Sequence, residues 1–175
     1  MNIFFTASYS GKAKYQKYYD LIIDSIKKTT VTLSSPELDK NFPTPDEVPH
    51  YQKIKDGIFN SDAVIMDVSE EGFQLGYEAA LAVQNKKHVL VLSLHQDFSQ
   101  KIDNRYFHAS KYSEMNIEEI IFDFVNSLQK HQFDQRFNFF LSAKQLNTLG
   151  LNATKHNQTK SDYLRSLIDS SLQKT

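Results

Sequence analysis

Asp62-Ala63-Val64-Ile65-Met66-Asp67-Val68 is an apolar run too short for a helix and bounded by polar residues, which marks it as a strand at the centre of a sheet. Its neighbours decide the fold. Residues 50–60 before it can form a helix, residues 73–85 after it form an alanine-rich helix, and His88-Val89-Leu90-Val91-Leu92-Ser93-Leu94 is the next buried strand. Further out, Asn2-Ile3-Phe4-Phe5-Thr6-Ala7 reads as a first strand, ended by the turn-forming Ser8-Tyr9-Ser10-Gly11. Residues 15–28 then place Tyr18, Tyr19, Ile22, Ile23 and Ile26 at helical intervals, and Val31-Thr32-Leu33 is a short second strand. All four prolines fall in residues 34–49, a long loop of the kind that often carries function in a compact domain. Residues 106–110 add a last strand, and residues 117–130 a helix with Ile120, Ile121, Phe124, Val125 and Leu128 on one stripe. Strands alternating with helices imply an α/β fold, an open parallel sheet covered by helices on both faces.

After residue 130 the pattern changes. Residues 131–135 read as a linker, Arg136-Phe137-Asn138-Phe139-Phe140-Leu141-Ser142 as one strand, and the remainder as two short helices divided near Asn157-Gln158-Thr159. A chain of 175 residues holds one full domain and such an appendage, not two complete cores. The hydrophobic fraction of 40% and charged fraction of 23% are those of a globular protein. No apolar run approaches the roughly 20 residues that cross a bilayer, and the first residues lack a secretory signal. With no cysteine there is neither a disulfide framework nor a thiolate nucleophile, so a cytoplasmic protein is expected. The net charge of -1 hides an asymmetry: residues 136–175 hold six Lys or Arg against two Asp, while residues 1–135 hold 14 against 19 Asp or Glu. The basic end is therefore the better partner for phosphate.

In open parallel sheets the chemistry sits just beyond the carboxyl ends of the strands. Here those positions are residues 8–12, 69–76 and 94–97. The first loop has small residues and a glycine that let backbone N–H groups approach an anion, with Lys12 able to add charge, although an ordinary turn has the same composition. In the second, Ser69-Glu70-Glu71-Gly72-Phe73-Gln74-Leu75-Gly76-Tyr77-Glu78 puts a carboxylate in the first turns of a helix, where the dipole favours the ionised form that a nucleophile needs. A solvated first-turn glutamate is the plainer reading of Glu78. Tyr9 and Tyr77 are open to core packing or to stacking on a base, and Asp67 to a structural or a ligand-binding part. The six histidines form no metal motif, His88 and His95 being suited to ending the strand, and no cofactor is expected.

Ser-Asp-Ala-Val-Ile-Met-Asp-Val-Ser at 61–69, Gly-Tyr-Glu at 76–78, Lys-Lys-His-Val-Leu-Val-Leu at 86–92 and Ile-Phe-Phe-Thr-Ala-Ser-Tyr-Ser-Gly at 3–11 together resemble the nucleoside 2-deoxyribosyltransferases, and especially the 2'-deoxynucleoside 5'-monophosphate N-glycosidases, over residues 1–130. The resemblance implies a flavodoxin-like sheet and a nucleoside or nucleotide substrate. It makes Glu78 the nucleophile on the anomeric carbon, gives sugar or phosphate to Ser8 and Gly11 and phosphate to Ser69, and places Tyr9, Gly76 and Tyr77 at the substrate. The family's aspartate in the helix before the central strand is matched by Ile54, Asp56 lying on another face, and Gly72 stands where the family has a small residue or aspartate. The first strand and the later glutamate also resemble TIR domains, some of which cleave NAD; the Gly-Tyr-Glu segment favours the deoxyribosyl branch.

Residues 136–175 resemble the ribbon-helix-helix family. A unit of about 40 residues does not bury its own apolar face, so a homodimer or higher homo-oligomer is expected. The resemblance sends the paired ribbon into the major groove of double-stranded DNA, with Arg136, Asn138 and Phe140 on the reading face and Thr159, Lys160 and Ser161 on phosphate. The sequence thus supports a homodimeric DNA-associated protein whose first domain binds, and can cleave, a nucleoside-type N-glycoside. The rival is a nucleotide or NAD N-glycosidase whose tail only dimerises.

Overall fold

Five strands pair side by side, all parallel, in the order β2-β1-β3-β4-β5. A computed structural model describes residues 1–130 and 139–172. Its elements run β1 (Asn2–Ala7), α1 (Lys12–Lys27), β2 (Thr32–Ser34), α2 (Pro49–Asn60), β3 (Ala63–Asp67), α3 (Phe73–Gln84), β4 (His88–Ser93), β5 (Phe107–Lys111) and α4 (Ile117–Lys130), then α5 (Ala143–Lys155) and α6 (Lys160–Leu172). The chain divides into two compact units, Met1–Gln132 and Phe133–Thr175.

Alternation along the strands builds the two faces of the sheet. Ile3, Phe5, Ala63, Ile65, Leu90 and Leu92 pack against α1 and α4, whereas Phe4, Val64, Met66, Val89 and Val91 pack against α2 and α3. β3 is buried at every position, as the apolar run requires of a strand covered on both sides. The strand order reverses between β1 and β3, and α/β sheets of this order bind ligands in the crevice outside that switch point.

α2 lies so close to the sheet that Gly57 has no room for a side chain: a Cβ there would come within 2.3 Å of the Phe4 ring. Gly57→Ala is expected to destabilise the fold by about 1–3 kcal/mol through overpacking. Urea denaturation of the two proteins checks this.

Several boundaries move from their expected positions. The first helix starts at Lys12 rather than 15, because Gly11 already accepts the bonds of its first turn. The second strand is Thr32–Ser34 and the last Phe107–Lys111, each one residue later than expected. The proline-rich loop holds a 3-10 turn, Pro36–Leu38, opened by Ser35, whose Oγ accepts from the Glu37 amide. Of the strand expected at 136–142, the described part, 139–142, has no strand structure. A ribbon strand needs a neighbour to pair with, and no strand is present among the described residues of that unit. Arg136, Asn138 and the expected linker 131–135 lie outside the described residues.

The two helices of the second unit are built as their sequence suggests. Ser142 and Gln145 form a capping box at the start of α5. Its end carries Asn157 in the left-handed region, φ 53°, with the Gln158 and Asn157 amides bonding back to the Ala153 and Thr154 carbonyls, the arrangement in which Asn substitutes for glycine. Thr159 precedes α6 and accepts from the Asp162 amide.

Candidate functional site

Glu78 is buried, not solvated. It is 2% exposed, in the second turn of α3, and its carboxylate accepts two hydrogen bonds, from Thr6 Oγ1 to Oε2 at 2.9 Å and from Gln74 Nε2 to Oε1 at 2.7 Å. Thr6 belongs to β1 and Gln74 lies one turn earlier on α3, so the carboxylate is held where the carboxyl end of β1 meets the start of α3. Burial raises its pKa above the ordinary carboxylate range, and the Gln74 and Thr6 bonds pull it back down. The expectation that the helix dipole decides its ionisation is thus corrected: the dipole fades beyond the first turn, and desolvation is the larger effect.

A second buried polar side chain, His50, completes the cluster. Located at the start of α2, it bonds through Nδ1 to the Pro43 carbonyl at 2.7 Å. A carbonyl only accepts, so Nδ1 carries the proton, and Nε2 faces Gln74 Nε2 at 3.5 Å. Phe42 and Tyr51 meet the ring edge-on at 5.6 and 5.1 Å. The Gln74 amide therefore lies between an imidazole and a carboxylate, both of which it addresses as acceptors. Ile54, one turn on from His50, is buried in the core beneath α2, and Asp56 is exposed and bonded to Gln52.

The loop after β3 is braced by Asp67, which is fully buried. It accepts from the Ser69 amide at 2.8 Å, from Ser69 Oγ at 3.2 Å and from Tyr112 Oη at 2.5 Å. Ser69 Oγ in turn accepts from the Leu94 amide at 3.0 Å, so Asp67 ties the ends of β3 and β4 to the residue after β5. Burial raises the Asp67 pKa, against the lowering effect of these bonds, and the phenol of Tyr112 is pushed well above its usual range by desolvation and by Asp67. Between the structural and ligand-binding readings of Asp67, the geometry assigns the structural one.

The remaining sequence-derived positions surround this cluster or turn from it. Ser8 Oγ accepts from the Gly11 amide at 3.2 Å and pairs with Ser10 Oγ at 2.9 Å. Gly11 is glycine because the two loops touch there: a Cβ would lie 2.7 Å from Tyr19 Oη and 2.8 Å from Glu70 Cβ. Tyr9 and Tyr77 are 49% and 55% exposed, which removes the core-packing alternative for both. Gly76 is exposed on the flank of α3 away from Glu78 and borders a cavity of about 570 Å3 lined by Met66, Leu75, Val83, Val91, Phe98 and Phe107. Glu78 is not part of that lining. Lys12 is ion-paired with Glu37 at 3.0 Å. In the second unit, Phe140 is fully exposed, and the Thr159 hydroxyl is engaged with Asp162 at 2.6 Å at the start of α6, where Lys160 and Ser161 follow.

Thr6, Gln74 and His50 were not singled out from the sequence. Two left a signal: Thr6 is a polar residue in an apolar strand on the same face as Phe4, and Gln74 stands at i−4 from Glu78, the spacing of side-chain pairs. His50 left none, because its contact with Gln74 spans 24 residues of loop, helix and strand. Among the described residues no group of three or more His, Cys, Asp or Glu is placed to hold a metal ion, and no helix is long and apolar enough to cross a membrane.

The α/β unit thus presents a flavodoxin-like sheet with a buried carboxylate at its switch point. No family model matches the chain. A protein of Nematostella vectensis named "Putative 2'-deoxynucleoside 5'-phosphate N-hydrolase 1" is 25% identical over 139 aligned residues, covering 72% of this chain and 95% of that protein. Among solved structures, the CMP N-glycosidase BcmB of Clostridium botulinum superposes with a TM-score of 0.51 at 15% identity, over 69% of this chain and 98% of that one. A prokaryotic SEFIR domain gives a TM-score of 0.47 at 12% identity, over 80% of this chain and 99% of that one. The superposition on BcmB shows a shared fold.

Proposed function

We propose that the first unit cleaves the N-glycosidic bond of a nucleoside-type substrate, with Glu78 as the nucleophile. The observation that carries the reading is the buried Glu78 carboxylate held by Thr6 and Gln74 at the switch point of the sheet. The names of the Nematostella protein and of BcmB, both N-glycoside hydrolases, support the same chemistry. A Glu78 oxygen attacks the anomeric carbon, the bond from that carbon to the base nitrogen breaks with its electron pair going to the base, and the base takes a proton from solvent. Water then adds to the anomeric carbon as the bond to the Glu78 oxygen breaks, its proton passing to His50 Nε2 and on to solvent, and the carboxylate is restored.

Thr6 and Gln74 orient the two carboxylate oxygens, each of which keeps a lone pair for reaction. A substrate arriving from the carboxyl edge meets Gln74 before Glu78, since Gln74 is one turn nearer the start of α3. The Gln74 amide bridges His50 Nε2, at 3.5 Å, and Glu78 Oε1, at 2.7 Å. In its Nδ1-protonated form His50 is the base for the attacking water. Ser8, Tyr9 and Gly11 supply the rim of the site, with Tyr9 exposed for stacking, while Ser69 braces the loop behind it and Gly76 and Tyr77 lie on faces of α3 turned from Glu78. The test is base release from deoxynucleosides, their 5'-monophosphates and NAD by the protein and by Glu78→Gln. Release that survives the substitution rejects the mechanism.

For the second unit the reading is pairing with a second copy and binding of double-stranded DNA, with Arg136, Asn138 and Phe140 on base edges and Thr159, Lys160 and Ser161 on phosphate. Phe140, Leu151 and Ile168 are exposed large apolar side chains of the kind that a second copy would cover. The full chain is expected to sediment as a dimer at micromolar concentration and to retard duplex DNA in a salt-dependent way, with weaker retardation after joint Arg136→Ala and Asn138→Ala substitution. A dimer that leaves DNA unshifted supports the rival reading, in which the tail only dimerises; a monomer rejects both.

A further inference from the structure

We propose that the substrate of this site carries no phosphate on its sugar, being a neutral nucleoside-type N-glycoside rather than a nucleotide. The inference rests on the N-glycoside reading of Glu78 and concerns which glycoside is taken. The five connections that leave the carboxyl ends of the strands, residues 8–11, 35–48, 68–72, 94–106 and 112–116, hold Lys40, Lys101 and Arg105 against nine Asp or Glu, and Lys101 and Arg105 lie over the Phe98 and Tyr106 rings at 4.9 and 5.1 Å. A phosphate monoester carries about −1.5 to −2 charges at neutral pH and is held by Arg, by Lys or by unspent N–H groups at a helix start.

The places nearest Glu78 where such a group would sit are either committed or faced by acidic side chains. Lys12, the first residue of α1, is ion-paired with Glu37, whose side chain is only 9% exposed and also accepts from Gln16. Moving Lys12 onto a phosphate would strand a desolvated carboxylate. At the start of α1 the Gly11 amide is taken by Ser8 Oγ and the Lys12 amide by the Tyr9 carbonyl, each at 3.2 Å. Lys14 lies over the Tyr15 ring at 4.7 Å. The start of α3 is preceded by Glu70 and Glu71, and Ser69 Oγ is spent between Asp67 and the Leu94 amide. What the edge does offer is neutral: the Ser8 and Ser10 hydroxyls, 2.9 Å apart, can exchange their mutual bond for a sugar hydroxyl, which both donates and accepts. The names of the Nematostella protein and of BcmB specify phosphorylated nucleosides, so the charge of this edge separates the present chain from them.

The test is equilibrium binding of deoxynucleosides, their 5'-monophosphates and inorganic phosphate to the full-length Glu78→Gln protein by calorimetry, with base release from the same compounds by the unsubstituted protein. Expected is a preference for nucleosides of about tenfold or more, narrowing as salt screens the acidic edge. Glu37→Gln, which releases Lys12, narrows it as well. Tighter binding of monophosphates, competition by inorganic phosphate, or binding of none of these compounds overturns the inference. Preferred binding of nucleosides without any base release leaves the inference standing and rejects the catalytic reading; preferred cleavage of monophosphates does the reverse.

Discussion

Glu78→Gln is expected to lower base release by about a thousandfold or more while leaving a folded protein that is more stable at neutral pH. The loss follows from chemistry: an amide oxygen is a poor nucleophile, and replacing a group that makes the covalent bond removes nearly all of the rate. The stability change has a sign set by linkage. Burial raises the Glu78 pKa in the folded state, so the folded protein binds this proton more tightly than the unfolded one. Its stabilising contribution is therefore present in full below the unfolded-state pKa, near pH 4, and is lost as the pH climbs through the raised folded value. Glutamine has no proton to lose. The gain in melting temperature of Glu78→Gln over the parent is expected to be small near pH 4 and to grow toward pH 7, by about 2–4 °C for each kcal/mol. Thermal melts across that range measure it. A glutamate that served only to stabilise the fold would give the opposite trend.

Asp67→Ala carries the largest expected cost to stability, about 3 kcal/mol or more. It removes the acceptor for the Ser69 amide, the Ser69 hydroxyl and the Tyr112 phenol. Buried donors left without partners cost roughly 1–3 kcal/mol each, more than the bonds themselves contribute when made. Relief from burying a charge offsets part of this, which is why Asp67→Asn, keeping the shape and one acceptor oxygen, is expected to be milder. Tyr112→Phe removes one donor without leaving another unpaired and is expected to cost about 1 kcal/mol. Denaturant unfolding of the three variants ranks them, and equal losses for Asn and Ala would show that the bonds to Asp67 do not brace the loops.

The sheet was legible because its evidence is local. Short apolar runs at residues 2–7, 62–68 and 88–94, with helical spacing between them, leave little choice but parallel strands with helices on both faces. Glu78 was legible as a carboxylate beyond a strand end. Its burial was not, since that depends on Thr6 in β1, 72 residues away along the chain. His50 was hidden for the same reason, its partners being a loop carbonyl and a side chain on another helix. Gly76 and Tyr77 illustrate the converse: adjacent in sequence to Glu78, they point away from it because consecutive helical residues are about 100° apart. The tail was readable as two helices divided near Thr159, whereas Ser142, the cap of α5, was read as the end of a strand that would need a partner to pair with.

The covalent step at Glu78 is tested most directly by mass spectrometry of the protein quenched during turnover of a slow 2'-fluoro-substituted nucleoside. Expected is a mass increase equal to one glycosyl residue, mapped to the peptide that contains Glu78 and missing from Glu78→Gln. Base released at an undiminished rate with no adduct on that peptide, or with the adduct on another side chain, would contradict the account.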